Sequence, residues 1–330
     1  MFEALRPYWY PVALSEEVPA DKPFGTSLLG ERVVVYRARG TVVALRDLCI
    51  HRGTPLSLGW IDGDELVCAY HGWGYAPSGT CTRIPSLTPG RPIPPKAKVD
   101  SFHADEKDGL VWVALDDPKD AIPTWPESEA PGYRRIWTQF HWRANAARAI
   151  ENVMDFAHFP WVHPGVLGDR KKPVYPDIEV KSEGNQIKYV LDDEATNAIR
   201  TYTVTLPVTL HMHVARRTAT GEGARNITSL YFVARPIGER ETQFYFGLSR
   251  NFALDQPDAI FAQRNTDVTE QDRRIVEAQR PEELPLDLSA ELHLRGTDAA
   301  AVEYRRALKR MGVAWAGATE LLEDGHGSNG

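Results

Sequence analysis

Apolar and polar positions divide the chain into a strand-rich first part and a mixed second part. Residues 31–37, 41–47, 65–70 and 109–115 are rich in Val, Leu and Tyr and are separated by Gly, Pro and Asp. That pattern predicts short antiparallel strands joined by tight turns. Residues 84–95 hold five prolines, too many for the interior of a strand or helix, and predict a loop folded over something. Residues 116–132 carry Asp-Asp-Pro, Ile-Pro-Thr-Trp-Pro and Ala-Pro-Gly and read as a connection between domains. Beyond it, residues 136–143 predict a strand and 146–159 a helix stopped by Pro160. Strands are then expected over 178–190, 199–216, 227–234 and 242–250, and two helices, 258–280 and 298–311, follow. The polar, glycine-rich tail 322–330 is expected to fray. A small all-β domain over 1–116 and an α+β domain over 117–330 result.

Composition narrows the class. The 330 residues are 42% hydrophobic and 25% charged, with a net charge of −7 of scattered sign. Length favours two domains over one, and the absence of a basic patch argues against nucleic acid as a partner. Three cysteines do not make a disulfide scaffold. No apolar run approaches a membrane span, and residues 1–10 lack the charge and core of a signal peptide. A cytoplasmic protein is expected.

Two constellations carry chemistry. In the first, Cys49-Ile-His51 and Cys68-Ala-Tyr-His71 each follow a predicted strand and run into a glycine turn. Two loops that each offer one thiolate and one imidazole can grip a cluster whose irons take two cysteines and two histidines. A zinc site is the alternative, although zinc fingers usually order their ligands Cys-Cys then His-His, with the histidines on a helix.

The second lies in Glu151-Asn152-x-x-Asp155-x-x-His158-x4-His163. On a continuous helix Arg148, Glu151, Asn152, Asp155 and His158 share one face, and Ile150, Val153, Met154 and Ala157 form an apolar stripe. Pro160 then lets His163 turn back toward His158. Two histidines and a carboxylate with positions left open form the facial triad of non-haem iron oxygenases. Among the acids of the long helix, Asp272 stands apart because its helical neighbours Val268, Ile275 and Val276 are apolar. A carboxylate on such a stripe needs a cation or a metal. An ordinary polar helix face, or a salt bridge from Asp272 to a buried arginine, is the bland alternative.

Cys49-x-His51-Arg52-Gly53 and Cys68-x-x-His71-Gly72-Trp73 resemble the Rieske domain of ring-hydroxylating oxygenases. Respiratory Rieske proteins carry an extra disulfide-bonded cysteine in each loop. Gly53 and Trp73 stand there in this chain, and Cys81, outside both loops, reads as structural. Asn-x-x-Asp-x-x-His-x4-His and Gln271-Asp272-Arg-Arg-Ile-Val-Glu-Ala-Gln279 resemble the mononuclear-iron segments of Rieske oxygenase α subunits, with Gln271 where Glu is commoner. The closing stretches 291–295 and 304–308 resemble the short members: vanillate O-demethylases, dicamba and toluenesulfonate methyl monooxygenases, and toxin-pathway hydroxylases.

The resemblance implies a helix-grip catalytic domain, an antiparallel sheet wrapped around long helices. It implies a [2Fe–2S] cluster on Cys49, His51, Cys68 and His71, and one Fe(II) on His158, His163 and Asp272. Asn152 is expected near that iron. Asp155 is expected to orient His158 and to bridge electrons to His71 of a neighbouring subunit in a homotrimer. Oxygen is the co-substrate. NAD(P)H acts through a separate reductase, with or without a ferredoxin, because the chain has no Gly-x-Gly-x-x-Gly fingerprint. The expected reaction is hydroxylation or oxidative demethylation of a small cyclic or aromatic molecule. A cis-dihydroxylating dioxygenase and a Rieske electron carrier are the alternatives. His211 and His213 alternate on one predicted strand and are expected to be satisfied on the sheet face rather than to line a pocket, and Phe232, Tyr245 and Phe246 are expected in the core.

Overall fold

The computed structural model describes residues 2–194, 196–217 and 226–315. It separates into two compact units, one of Leu5–Ile122 and one that joins the residues up to Ala4 with those from Pro123 onward. The change therefore falls inside the proline-rich connection. The tail 322–330 lies outside the described residues.

In the first unit the strands are β1 (Tyr10–Leu14), β2 (Phe24–Leu28), β3 (Glu31–Ala38), β4 (Thr41–Arg46) and β5 (Trp60–Asp62). They continue with β6 (Glu65–Val67), β7 (Gly74–Tyr75), β8 (Cys81–Arg83), β9 (Ser101–Lys107) and β10 (Leu110–Ala114). One antiparallel sheet has the order β1-β10-β9-β4-β3-β2 and a smaller one β5-β6-β7-β8. Val34, Tyr36, Leu45, Leu66, Tyr75 and Cys81 pack one core, so Cys81 is a packing group here. The proline-rich stretch 84–95 is a loop, and its Ile84 and Ile93 lie on that core. β6 ends earlier than the alternation suggests because Cys68 leaves the ladder and donates its N–H to the Trp73 carbonyl.

The second unit holds β11 (Arg134–Trp142), β12 (Lys181–Glu183), β13 (Gln186–Asp193), β14 (Ala198–Thr205), β15 (Thr209–Arg216), β16 (Ile227–Gly238) and β17 (Glu241–Arg250). Its antiparallel order is β11-β17-β16-β15-β14-β13-β12. The helices are α1 (Ala146–Met154), α2 (Phe159–Val162), α3 (Asp258–Val276) and α4 (Ala299–Arg310). Each of the long strands expected over 178–190 and 199–216 is interrupted by a turn. Gly184, at φ +59°, makes the first turn, and the second falls between Thr205 and Thr209. A continuous run of Val, Thr and Leu conceals such turns.

Period-two alternation gives the sheet two faces. Met212 and Val214 of β15, Leu230 and Phe232 of β16, and Phe244, Phe246 and Leu248 of β17 line a cavity beside α1 and α3. Tyr231, Tyr245 and Gly247 take the alternate positions. There Trp125 stacks on Tyr231 at 5.2 Å between ring centroids, 8° from parallel. A Cβ at Gly247 would lie 2.6 Å from the Trp125 ring, so glycine permits this close approach. The end of the proline-rich connection thus seals the outer face of the sheet.

The expected helix 146–159 stops at Met154. Asn145 caps its start by accepting the Ala147 N–H at 3.0 Å, and Asp155 leaves it with extended backbone at ψ 142°. Arg148 and Glu151 do share a face, and it is used for an ion network. Arg305 of α4 donates to both Glu151 oxygens at 2.6 and 2.7 Å and to Glu291 at 2.6 Å. Arg148 reaches the other Glu291 oxygen at 2.8 Å. Both arginines are buried. Burial pushes the Glu151 carboxyl up despite the opposing pull of Arg305 and Arg148. Two acids and two arginines therefore clamp α1 to α4. Removing one partner leaves a buried charge unanswered, so Arg305→Met is expected to cost about 3–5 kcal/mol, read from the urea unfolding midpoint of the second unit.

Candidate active site and cluster loops

The two Cys-His loops repeat one backbone design. Cys49 donates its N–H to Thr54 O at 2.8 Å, and Gly53 donates back to Cys49 O at 2.9 Å. Cys68 donates to Trp73 O at 2.9 Å, and Gly72 donates back to Cys68 O at 3.0 Å. Each closure needs positive φ at its glycine, +70° at Gly53 and +68° at Gly72, which explains the glycine four residues after each cysteine. The His51 and His71 rings meet edge to face at 4.5 Å, and Trp73 stacks on His51 at 4.6 Å. Cys49 and Cys68 are buried. Tyr75 Oη lies 3.1 Å from Cys49 Sγ. The His51 Nδ1 is buried without a hydrogen-bond partner. Two thiols and two imidazoles facing one another, one nitrogen of them orphaned, fit a Rieske cluster.

The second constellation is assembled from a helix break and a distant helix. Beyond Met154 the Asp155 carboxylate organises the turn, accepting the N–H groups of Ala157 at 2.8 Å and His158 at 3.3 Å. Its Oδ2 also lies 2.9 Å from His158 Nδ1. His158 is the N-cap and His163 the C-cap of the one-turn helix α2. The x4 spacing is therefore one helical turn with a histidine at each end. Pro160 stands in the first turn of α2, where its missing N–H costs nothing, and it does not end the helix as expected.

Across the space stands Asp272 of α3, whose Oδ1 is 2.9 Å from His163 Nε2 and 3.4 Å from His158 Nε2. Ligand atoms of the three residues lie within 4.8 Å of one another, the one such group of three or more among the described residues. The far nitrogens are held from behind. A carboxylate only accepts, so His158 Nδ1 carries the proton toward Asp155. His163 Nδ1 donates to Gln271 Oε1 at 2.7 Å. Both Nε2 atoms are thereby turned inward, and each is a lone-pair donor to a metal when its ring is neutral.

His163 Nε2 and Asp272 Oδ1 are buried atoms with no hydrogen bond. Burial would lower the His158 imidazole, but Asp155 and Asp272 outweigh it and push it up to about 9. Burial would raise Asp272, yet the two histidines hold it below the usual carboxylate range. A site that draws in a proton this strongly draws in a cation by the same charges, and the donor set fits a mononuclear iron.

The three residues open on a cavity of about 380 Å3, within the range of small-molecule sites. Asn152 lines it one turn before Asp155. Phe232 and Phe246 are buried as expected of core residues and also line the cavity, while Tyr245 points to the other face. Ile275, expected on the buried stripe with Asp272, is half exposed. The inward stripe of α3 is instead Phe261, Arg264, Asn265, Val268, Thr269 and Asp272. Sequence reading passed over its polar members and gave no role to Gln271, although counting back from Asp272 in steps of three and four finds the stripe.

His211 and His213 face away from the cavity. His211 Nε2 lies 3.1 Å from Glu127 and His213 Nε2 3.8 Å from it. Ser229 Oγ donates to Glu127 at 2.8 Å and accepts Trp125 Nε1 at 2.8 Å.

The chain matches the Rieske [2Fe-2S] domain over residues 8–103 and the Vanillate O-demethylase oxygenase C-terminal domain over 142–314. It belongs to the Rieske non-haem iron oxygenases. Within that family it is similar to methylxanthine N1-demethylase NdmA of Pseudomonas putida, at 30% identity over 94% of this chain and 90% of that protein. It is also 33% identical to the toluene-4-sulfonate monooxygenase iron-sulfur subunit TsaM1 of Comamonas testosteroni, over 83% of this chain and 87% of that one. The solved structure of NdmA with caffeine superposes with a TM-score of 0.84 at 30% identity, covering 93% of this chain and 91% of that one. Dicamba monooxygenase bound to 3,6-dichlorosalicylic acid gives 0.79 at 26% identity, covering 93% and 97%. The protein is therefore an oxidoreductase, an oxygenase component that carries a Rieske cluster and mononuclear iron and takes its electrons from a reductase. No helix among the described residues is long and apolar enough to cross a membrane.

Burial would raise the Glu127 carboxyl, but hydrogen bonds from His211 and Ser229 and the charges of His211 and His213 lower it to about 2. A depressed carboxylate contributes stability that is complete above its unfolded pKa, near 4.5, and is lost as pH falls toward about 2. Glu127→Gln is expected to be less stable than wild type at pH 7, with the gap in urea midpoint steady down to about pH 5 and narrowing below it.

Proposed function

We propose that His158, His163 and Asp272 hold the catalytic iron and that Cys49, His51, Cys68 and His71 hold the cluster of a monooxygenase. Its substrate is a small ring compound that it hydroxylates or oxidatively demethylates. The observation that carries this reading is the convergence of three inward donor atoms on an apolar cavity, two of them buried without a hydrogen bond. Relatives take small ring compounds: NdmA is solved with caffeine and its QL mutant with theobromine, dicamba monooxygenase is solved with dicamba, and TsaM1 belongs to a toluene-4-sulfonate monooxygenase.

When bound, the iron supplies the oxygen-activating chemistry and the cluster supplies an electron to it. The residues do the rest. Phe232, Phe244 and Phe246 seat an apolar ring and keep water from the reacting carbon. Asp155 and Gln271 fix the tautomers of the two histidines. Asn152, on the cavity wall, is placed to contact what binds beside the metal. The balanced reaction adds one oxygen atom to a C–H bond and releases the other as water, taking two electrons and two protons. On an O- or N-methyl group the product is an unstable hydroxymethyl, which explains how one site can hydroxylate or demethylate.

Asp155 keeps 34% of its side chain exposed while bonded to His158. Its carboxylate is thus available to His71 of a neighbouring subunit, and a head-to-tail homotrimer would complete each site. The reductase, with or without a ferredoxin, draws on NAD(P)H in the cytoplasm.

Metal analysis tests the ligand assignment: wild type is expected to hold three irons per two acid-labile sulfides. His163→Ala is expected to hold two, with its Rieske visible spectrum unchanged. Asp155→Asn is expected to keep all three irons yet lose turnover by about 10- to 100-fold, with substrate binding intact and cluster reoxidation by O2 slowed. Normal, coupled turnover in that variant would refute the bridge.

A further inference from the structure

The cavity has a chemically distinct far end. Register locates it. Val214 pairs with Thr228, Thr228 pairs with Arg250, and Arg250 reaches Asp258, the first residue of α3, at 3.0 Å. Arg216, two residues beyond Val214 on the same strand face, therefore lies at the end of the sheet that faces the start of α3. Arg264 lies on the cavity stripe of α3 eight residues before Asp272, which places it about 12 Å along the helix axis from that carboxylate. Helical side chains lean toward the N-terminus, which carries Arg264 further from the metal end.

Four arginines stand in or beside this cavity, and two are neutralised. Arg200 is bound to the buried Asp193 at 3.0 Å, and Arg250 to Asp258. Arg216 and Arg264 both line the cavity. Among the described residues neither has a carboxylate partner or a side-chain hydrogen bond. They are near enough to oppose one another: the Arg216 guanidinium is held below its ordinary value by burial, then by the charges of Arg264 and Arg200, against a smaller pull from Asp193. A chain of net charge −7 thus places two positive charges, unanswered among the described residues, at one end of an apolar slot whose other end holds His158, His163 and Asp272. Guanidinium groups in such a pair bind carboxylate or sulfonate oxygens with charge-assisted, often bidentate, hydrogen bonds. Asn226 and Thr228 offer further polar groups at the same end.

We infer that Arg216 and Arg264 bind a carboxylate or sulfonate on the substrate, so that an elongated aromatic anion lies with its charged head at the cavity's outer end and its opposite carbon at the metal. This rests on the oxygenase reading above and deepens it. The head fixes the direction in which the molecule enters, and with it which carbon is presented for oxidation.

The test is equilibrium dialysis of the full-length holoenzyme under anaerobic conditions, where no turnover occurs. The probes are 4-methoxybenzoate and 4-methoxybenzenesulfonate, their neutral amides, and the cationic 4-methoxybenzylamine. At least one acid is expected to bind about tenfold or more tighter than its amide, with the amine weakest. In Arg216→Gln and Arg264→Gln that preference is expected to shrink to about twofold or less, with the amide's affinity and the Rieske spectrum unchanged. Amides bound as tightly as acids, an amine bound tightest, no binding of any probe, or a preference that survives both substitutions would each overturn the anion site. Iron and sulfide counts on the same samples separate the two failures: a missing third iron sinks the oxygenase reading, whereas a full complement without charge preference sinks the anion site alone.

Discussion

Two imidazole nitrogens and a carboxylate turned toward one another behind apolar walls need a cation between them. His163 Nε2 and Asp272 Oδ1 are buried and make no hydrogen bond. A proton can partly serve, as the raised His158 imidazole shows, but one proton cannot satisfy three donors. The surrounding structure serves this requirement. Asp155 and Gln271 hold the outer nitrogens, the turn of α2 spaces the histidines, and the Arg148–Glu151–Glu291–Arg305 network keeps α1 in place behind them.

That network also gives the last third of the chain a purpose. Glu291 and Arg305 lie far from His158 and His163 in sequence, and they answer the buried charges of Arg148 and Glu151. Each member alone would be costly to bury; paired and hydrogen-bonded they fix the approach of α4 to α1. The sheet divides its labour in the same economical way. One face supplies an apolar wall to the cavity, and the other is closed by Trp125 and by Glu127 bonded to His211 and Ser229.

Much of this was legible in the residues. Ligand chemistry and glycine spacing exposed the Cys-His loops, because a tight turn at each cysteine demands positive φ four residues on. Four strands of the first unit, β3, β4, β6 and β10, followed from runs of Val, Leu and Tyr between turn residues, whereas β1, β2, β5, β7, β8 and β9 were not foreseen. Asp272 stood out as an acid among apolar neighbours, although one of those neighbours, Ile275, proved exposed. What was hidden had physical causes. The break at Asp155 was masked because Phe156 and Ala157 continue a helical apolar pattern, and only the Asp155 carboxylate binding the next N–H groups reveals the turn. Phe232 and Phe246 are ordinary core residues by composition, and only the space beside α3 makes them cavity walls. Glu127 and His211 meet across a separation in sequence that no local pattern reports.

The most direct measurement is anomalous X-ray diffraction at the iron edge from crystals of the holoenzyme. One iron bound by His158 Nε2, His163 Nε2 and an Asp272 oxygen is expected, separate from a two-iron cluster on Cys49, His51, Cys68 and His71. A cavity in which those three side chains pair with one another or with another residue, with no anomalous peak between them, would contradict it.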